Sequence, residues 1–216
     1  MSPSYSQRVE TKPTVGVLAL QGDVVEHLAA LECAGARAVA IKTVGELACV
    51  DGLVIPGGES TTVMKLLDRF GLATPIVERV RGGMPLWGTC MGMIVAAHDV
   101  AGLDQPTLGL IDITVRRNAF GRQNESAEVE LPISALGPQP FPAIFIRAPW
   151  IERVGPAVEL LASRDGHGVM VREGNVLGTS FHPELTRDPR VHAYFLRMVD
   201  AARSHGKSVG KASSAA

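Results

Sequence analysis

Cys90 is the residue most suited to covalent chemistry, because it lies in a Gly-Thr-Cys-Met-Gly segment (88–92) between an apolar stretch and the apolar run 93–97. Glycines on both sides suit a tight turn from strand to helix, where a nucleophile needs neighbours without side chains. The helix that follows would present free N–H groups and the positive end of its dipole, which favour a thiolate. The pattern predicts a nucleophilic cysteine. The alternative is a small thiol buried between two packed elements.

A thiol that attacks a carbonyl needs a base, and the base needs a group that orients it. The segment Phe-His-Pro-Glu at 181–184 supplies both residue types in His182 and Glu184. If residues 179–184 are extended, these two side chains point to the same side and the carboxylate can orient the imidazole. A plain turn is the alternative. The other histidines lie in segments that look like helix surface or loop: His27, His98, His167, His192 and His205.

Attack on a carbonyl creates an oxyanion that backbone N–H groups can stabilise. Met91, directly after the cysteine, offers one such donor, and the Gly57-Gly58 pair after an apolar stretch offers a second. Glycine at this place lets the backbone approach a substrate closely. An ordinary strand-ending turn is the alternative for this pair. Ser60 has the residue type of a helix N-cap for the segment that follows.

The elements that would position these residues alternate between short apolar runs and helical patterns. Residues 15–20 form an apolar run that ends in Gln21-Gly22, and a helical pattern with Gly35 as its stop follows. This alternation predicts a parallel sheet covered by helices on both faces, with ligands at the carboxyl ends of the strands. The same alternation continues along the chain. Extended segments are predicted at 38–41, 53–55 and 85–87, and helices through 64–67 and around 76–80.

Beyond about Gly109, the pattern changes to strand candidates separated by turns, which are typical of antiparallel strands. These candidates are 113–117, 127–133, 143–146, 158–162, 169–172 and 176–180, and a final helix is predicted over 189–203. No linker or repeat divides the chain. We therefore predict one mixed α/β domain over residues 14–205, with a flexible N-terminal tail at 1–13 and a flexible C-terminal tail at 206–216.

Composition excludes several classes of function. The chain has 216 residues, 46% of them hydrophobic, and 21 Lys+Arg against 22 Asp+Glu. A net charge of -1 with no basic cluster predicts that nucleic acid is not a partner, and no segment reaches the roughly 20 apolar residues of a membrane helix. The odd, sparse set Cys33, Cys49 and Cys90 favours neither a disulfide scaffold nor a zinc site, which indicates the cytoplasm.

Five segments together resemble the glutaminase subunits of pyridoxal 5'-phosphate synthase, which are class I glutamine amidotransferases. The cysteine turn and His-Pro-Glu are shared by all class I glutamine amidotransferases, whereas the other segments are more specific. The resemblance spans about residues 15–202. The segments are Leu-Ala-Leu-Gln-Gly at 18–22, Pro-Gly-Gly-Glu-Ser-Thr-Thr at 56–62, Gly-Thr-Cys at 88–90, Arg-Arg-Asn-Ala-Phe-Gly-Arg-Gln at 116–123 and Phe-His-Pro-Glu-Leu at 181–185.

The resemblance implies roles for individual residues and a flavodoxin-like sheet. Cys90 would be the nucleophile, His182 the general base and acid, and Glu184 its partner. The residues implied to contact glutamine are Gly58, Glu59, Ser60, Arg117, Ile146 and Arg147. Taken alone, Arg117 reads as a solvated strand charge and Arg147 as a buried ion-pair partner. Two positions depart from the family pattern, since Met91 replaces a common alanine and Ala119 a frequent serine.

The implied activity is hydrolysis of L-glutamine to L-glutamate and ammonia through a thioester on Cys90, with no metal or organic cofactor. The resemblance further implies a hetero-oligomeric complex in which a TIM-barrel synthase subunit receives the ammonia and activates the glutaminase by docking. Gln21, near the end of the first strand, is the candidate interface residue. Two alternatives are a related cysteine hydrolase or deglycase and a non-catalytic binding subunit of the same complex.

Overall fold

A computed structural model describes residues 11–117 and 126–213 of the chain, with side chains up to residue 205. Its main feature is a ten-stranded mixed sheet in the order β2-β1-β3-β4-β12-β11-β9-β6-β5, with β10 paired to β11. Strands β7 and β8 form a separate antiparallel ribbon. The strands are β1 (Thr14–Leu18), β2 (Arg37–Ile41), β3 (Gly52–Ile55), β4 (Leu86–Thr89), β5 (Ala97–Val100), β6 (Ile111–Arg116), β7 (Ser126–Leu131), β8 (Phe141–Ile146), β9 (Trp150–Val154), β10 (Glu159–Arg164), β11 (His167–Glu173) and β12 (Val176–Thr179).

Six α-helices accompany the sheet in the described part of the chain. The predicted α/β class, one mixed and mostly parallel sheet flanked by helices, is confirmed. Among the described residues, no helix is long and apolar enough to cross a bilayer. The helices are α1 (Val24–Cys33), α2 (Val44–Leu47), α3 (Ser60–Arg69), α4 (Ala73–Arg81), α5 (Met91–Ala96) and α6 (Arg190–Ser213).

Two apolar cores lie on opposite faces of the sheet. In β3, Leu53 and Ile55 pack into one core and Val54 into the other, because successive strand residues point to opposite faces. Helices α3, α4 and α5 cover the first face, and α1 and α6 cover the second. Burial on both faces explains why the central strands are continuous apolar runs.

The strand directions in the second half differ in part from the antiparallel arrangement that the sequence predicts. Strand β12 runs parallel to β4, and β6 runs parallel to β5. Strands β11 and β12 form an antiparallel hairpin, and this reversal returns β12 to the direction of the central strands. As a result, β4 and β12 end at the same edge of the sheet.

Several local predictions also need correction. The sequence did not indicate β5 or β9, and helix α6 continues past residue 203 to Ser213. Helix α3 begins at Ser60, but its N-cap is Glu59, whose carboxylate accepts from the Thr61 N–H. A carboxylate serves there because it also reduces the positive end of the helix dipole. The predicted N-terminal tail lies outside the described residues up to position 10.

Candidate active site

Cys90 occupies a strained turn between β4 and α5. Its φ of 49° and ψ of -107° lie where residues with a side chain are rarely found. The turn is possible because Gly92 has no Cβ, which would overlap the Ile55 carbonyl oxygen. Cys90 is 93% buried at the head of a helix, and its Sγ lies 3.8 Å from the Ile146 carbonyl oxygen.

Backbone pairing between β4 and β12 brings the second predicted group beside the cysteine. Thr89 and Thr179 are paired residues at the ends of these strands, and the Cys90 N–H donates to the Thr179 carbonyl at 2.7 Å. The chain after β12 reaches His182, which lines the same cavity as Cys90. The sheet itself therefore places these two residues at one edge.

The side chains of His182 and Glu184 are in contact, as predicted, but the backbone that joins them is not extended. Residues Pro183–Leu185 form a 3-10 helix with His182 as its N-cap. The His182 Nδ1 lies 2.8 Å from Glu184 Oε1 and 3.4 Å from Asp23 Oδ2. The tight helical turn thus brings the carboxylate back onto the ring that precedes it.

The charges around His182 favour its protonated form. Burial lowers the pKa of His182, but interactions with Cys90 and Glu184 outweigh burial and raise the pKa to about 10. Burial raises the pKa of Glu184, and the facing imidazole opposes this rise. The Nε2 of His182 has no hydrogen-bond partner among the described residues. Since Nδ1 faces the carboxylates, the Nε2–H of the protonated ring is the one that can give a proton to a bound molecule.

A cavity of about 250 Å³ contains most of the predicted site residues. This volume is below the roughly 300–1,000 Å³ of pockets for drug-sized ligands, which suits a ligand of amino-acid size. The lining consists of Asp23, Gly58, Glu59, Ser60, Cys90, Met91, Ile94, Arg117, Ile146, Arg147, Pro149, His182 and Leu185.

The predicted oxyanion segment lies on one side of this cavity. Gly58 has a φ of 149°, in the region that favours glycine, and the next N–H, that of Glu59, donates to Gln21 Oε1 at 3.2 Å. A Cβ on Gly58 would lie 3.5 Å from the Met91 Cε. The methionine side chain therefore fills space beside the glycine. The Gln21 side chain fixes the Gly58-Glu59 segment through its hydrogen bond to the Glu59 N–H.

A polar network connects Glu59 to Ser60 through two residues on the far side of the cavity. Arg117 donates to Glu59 Oε1 at 2.7 Å and to Gln105 Oε1 at 3.0 Å. The Gln105 Nε2 donates to the Ser60 hydroxyl at 3.0 Å. Burial opposes ionisation of Glu59, but the hydrogen bonds from Thr61 and the charge of Arg117 lower its pKa. Arg117 is thus an ordered ion-pair partner and not the solvated charge that its strand position suggested.

Arg147 has a strained backbone at the end of β8. Its φ of 45° is in the left-handed region, which is uncommon for a residue with a side chain. Such conformations cost of order 1–3 kcal/mol and cluster at functional sites. The strain places Arg147 on the cavity wall beside Pro149 and Ile146.

Asp23, His182 and Glu184 are the one set of three side chains, among the described residues, whose candidate metal-ligand atoms lie within 4.8 Å of one another. Both carboxylates face the same ring nitrogen, Nδ1 of His182. A metal at this position would replace the hydrogen bond that orients the imidazole. The arrangement fits a hydrogen-bonded histidine better than a metal centre.

The structure brings together nine of the predicted site residues as lining of one cavity and places Glu184 and Gln21 directly behind it. Sequence reasoning missed Asp23 and Gln105, for which no motif gave a signal beyond proximity of Asp23 to Gln21. It also assigned His27 and His192 to surface or loop, and this was wrong, since both are fully buried. The family-specific stretch 118–123, including Ala119, lies outside the described residues.

The chain is similar in sequence to curated subunits of pyridoxal 5'-phosphate synthase. The pyridoxal 5'-phosphate synthase subunit PdxT of Streptomyces avermitilis is 57% identical over 196 residues, which cover 89% of this chain and 96% of the relative. The protein of the same name from Moorella thermoacetica is 52% identical, and the match covers 86% of this chain and 98% of the relative. This chain is thus similar to these subunits over nearly their whole length.

Solved structures and a family model complete the comparison. A crystal structure of a glutamine amidotransferase superposes with a TM-score of 0.82 at 46% identity, covering 86% of this chain and 98% of that chain. PurLQS from Thermotoga maritima shares the fold, with a TM-score of 0.61 at 16% identity, covering 89% of this chain and 97% of that chain. The model of the SNO glutamine amidotransferase family matches residues 17–201. The chain therefore belongs to the SNO glutamine amidotransferase family.

Proposed function

We propose that this chain is the glutaminase subunit of pyridoxal 5'-phosphate synthase and hydrolyses L-glutamine to L-glutamate and ammonia. The observation that carries the proposal is that a strained Cys90 and a His182 paired with Glu184 line one cavity of amino-acid size. The 57% identity to a curated synthase subunit supports the same assignment.

In the first half of the reaction, the Cys90 thiolate attacks the side-chain carboxamide carbon of glutamine and forms a tetrahedral intermediate. The backbone N–H groups of Gly58 and Met91 stabilise its oxyanion. His182, whose pKa is raised to about 10, carries a proton at neutral pH and gives it to the leaving nitrogen. The carbon–nitrogen bond breaks, ammonia departs and a γ-glutamyl thioester remains on Cys90.

In the second half, the now neutral His182 takes a proton from a water molecule, and the resulting hydroxide attacks the thioester carbonyl. The second tetrahedral intermediate collapses by expelling the Cys90 thiolate, and glutamate leaves. Glu184 holds the imidazole through Nδ1 in both halves, so the same Nε2 can give a proton first and accept one later. This cycle returns the thiolate and the protonated imidazole.

The walls of the cavity carry charges of both signs, which complement a zwitterionic amino acid. Arg117 and Arg147 can attract the α-carboxylate of glutamine, and Glu59 can attract its α-ammonium group. Ser60 and the Ile146 carbonyl oxygen complete the polar lining. Fixed charges therefore hold the α-carbon end of glutamine, while the proposed oxyanion donors meet its carboxamide end.

We further propose that the ammonia passes to a TIM-barrel synthase subunit in a hetero-oligomeric complex, which combines it with a pentose phosphate and a triose phosphate. Gln21 would connect docking to the oxyanion segment, because its Oε1 accepts from the N–H of Glu59, next to Gly58. If Gln21→Ala leaves partner-stimulated activity unchanged, this coupling is wrong.

We place the activity in the cytoplasm. Cys33, Cys49 and Cys90 are all free thiols, and a free nucleophilic thiol is compatible with a reducing compartment. Cell fractionation with antibody detection of the chain would test this placement.

The experiment that tests the function measures glutamate release from L-glutamine by the chain alone and with its cognate synthase subunit. We expect release with the partner, and its loss in Cys90→Ala and in His182→Ala. Cys49→Ala is the matched control, because it removes an exposed thiol and should keep full activity. Absence of release from a folded complex would favour a non-catalytic binding subunit, and partner-independent turnover of other substrates would favour a cysteine hydrolase or deglycase.

A further inference from the structure

Two buried histidines lie directly behind the proposed catalytic groups. His27 on α1 and His192 on α6 are both fully buried and pack edge-on against Trp87 of β4, with ring centroids 5.4 and 4.9 Å away. A buried polar ring without a hydrogen bond costs free energy, so each such ring is expected to have a partner or a function.

The contacts of His27 lead to the site. Its Nε2 lies 3.1 Å from the Thr89 hydroxyl and 3.4 Å from Glu184 Oε2, while its Nδ1 lies 3.4 Å from the His192 Nε2. Glu184 uses its other oxygen, Oε1, for His182, and Oε2 has no conventional hydrogen bond among the described residues. One imidazole nitrogen therefore faces both the residue before the nucleophile and the free oxygen of the carboxylate.

The charges select one tautomer of His27. Burial lowers the pKa of His27 well below its usual value, and nearby His192 and His182 lower it further, so the ring is neutral. A neutral ring has one N–H, and an unprotonated Nε2 would direct a lone pair at the Glu184 carboxylate. With the proton on Nε2, the ring instead donates towards Glu184 and Thr89, and its Nδ1 accepts from His192.

We propose that His27 is a positioning residue of the glutaminase, whose Nε2–H holds the second oxygen of Glu184 and so fixes the imidazole of His182 against Cys90. This inference rests on the proposed roles of these three residues. Because the same N–H also faces Thr89, His27 connects the carboxylate to the cysteine turn. No motif in the sequence marks it.

Other ionisable groups near Glu184 must be considered in any titration. His182 and Asp23 face it from the cavity side, and His192 lies beyond His27. A second cavity that Glu184 and His192 line also contains charged groups, namely Glu26, Arg187 and Asp188. Variants of His27 leave all of these groups in place, so changes in the titration of His182 report the lost donor.

The test compares His27→Leu with His27→Gln. The amide nitrogen of glutamine occupies the place of Nε2 and keeps a donor, whereas leucine removes it. We expect His27→Leu to lower kcat of the partner-activated glutaminase roughly 10-fold to 100-fold with little change in KM, since the lost bond acts on a charged group and not on glutamine. His27→Gln should keep most of kcat.

A direct readout is the NMR titration of the His182 ring in the free chain. Loss of the donor leaves the charge of the Glu184 carboxylate less offset, so the carboxylate stabilises the imidazolium more strongly. The pKa of His182 should therefore rise in His27→Leu and stay near its wild-type value in His27→Gln. Phe195→Leu is the matched control, because it disturbs the same core against Trp87 without removing a donor.

The outcomes separate this inference from the proposed function. If wild type is active and His27→Leu behaves like Phe195→Leu, with lower thermal stability but unchanged kcat and unchanged His182 titration, the positioning role is wrong and the glutaminase assignment stands. If the wild-type complex releases no glutamate while Cys90 and His182 are intact, the proposed function itself fails. Failure of His27→Gln to rescue kcat would also overturn the role of the N–H donor.

Discussion

The charge on His182 determines how the cysteine is used. Burial alone would keep the ring neutral, but Cys90 on one side and Glu184 on the other reverse this and raise its pKa to about 10. The ring therefore begins the reaction as an acid, which suits a substrate whose leaving group is a nitrogen that must be protonated. At the residue scale, the site is prepared for amide cleavage before glutamine arrives.

The raised pKa predicts a pH-dependent contribution to stability. In the unfolded chain, histidine titrates near about 6.5, so the stabilisation from charged His182 is complete below about pH 6.5 and is lost as pH rises through about 10. The free energy of unfolding of wild type minus that of His182→Gln should therefore be largest near pH 6 and decrease towards pH 10. Urea denaturation across this range measures it. A difference that stays flat across this pH range would contradict the assignment.

Gln105 is expected to act on substrate binding alone. It orients Ser60 and Arg117 but does not line the cavity itself, so Gln105→Leu should raise KM for glutamine by about 10-fold, the loss of one charged hydrogen bond, with kcat within about 2-fold. Steady-state kinetics of the complex provide the measurement. Gln139→Leu, at an exposed position, is the control and should leave both constants unchanged. If Gln105→Leu instead lowers kcat by about 10-fold and leaves KM unchanged, this role is wrong.

Residues with a local signature could be predicted from the sequence, and residues placed by the fold could not. Cys90 lies between glycines, and His182 precedes a proline and a carboxylate. The neighbouring residues in the sequence therefore indicate the role of each. Gln105 and His27 have no such neighbours. Ser60 is 45 residues from Gln105 and Thr89 is 62 residues from His27 along the chain, and only the packing of the helices and the sheet brings them together.

At the scale of elements, the turn from β4 to α5 depends on the absence of a side chain at Gly92. The helix begins so close to β3 that a methyl group would overlap the Ile55 carbonyl oxygen, and backbone atoms cannot move aside as a flexible side chain would. The close approach therefore explains the second glycine of the motif better than backbone flexibility does.

Gly92→Ala should accordingly destabilise the fold strongly, by more than about 2 kcal/mol, because it forces a shift in the central strand. Gly45→Ala is the matched control in helix α2, where a Cβ meets open space, and it should be neutral or stabilise by up to about 1 kcal/mol. Thermal unfolding of both variants would settle the difference. Similar melting temperatures would show that the turn can relax.

The two strands that the sequence did not indicate share one property. In β5 the two middle residues, His98 and Asp99, are exposed, and β9 has a run of exposed residues at its end. Strand β5 is at the edge of the sheet, and β9 is paired on both sides but leaves most of its residues exposed, so both lack the apolar pattern by which the central strands are recognised. Strand β5 also follows α5 without a break, which made it look like more helix.

At the scale of the whole molecule, one sheet joins the two halves of the chain. The second half contributes β12 to the centre of the sheet, where it pairs with β4 from the first half. Trp87 lies in β4 and Trp150 in β9, so each half carries one reporter. A shared sheet predicts that neither half is stable when the other unfolds.

We therefore expect cooperative unfolding in a single transition. In Trp150→Phe the fluorescence reports Trp87, and in Trp87→Phe it reports Trp150. In each variant the fluorescence midpoint in urea should coincide with the midpoint from far-ultraviolet circular dichroism. Two separated midpoints within one variant would show that the halves are independent units and that the single-domain prediction is wrong.

The pairing of Thr89 with Thr179 has a consequence for how the chain can change. Since Cys90 and His182 follow neighbouring strands in register, their separation depends on the spacing between two hydrogen-bonded strands, about 4.8 Å, and not on the length of the chain that connects them. A slip of β12 by one residue would turn its own side chains to the opposite faces and move His182 away from Cys90. We therefore expect a circular permutant that is opened in an exposed loop of the intervening chain to keep Cys90 and His182 side by side, provided that β4 and β12 still pair.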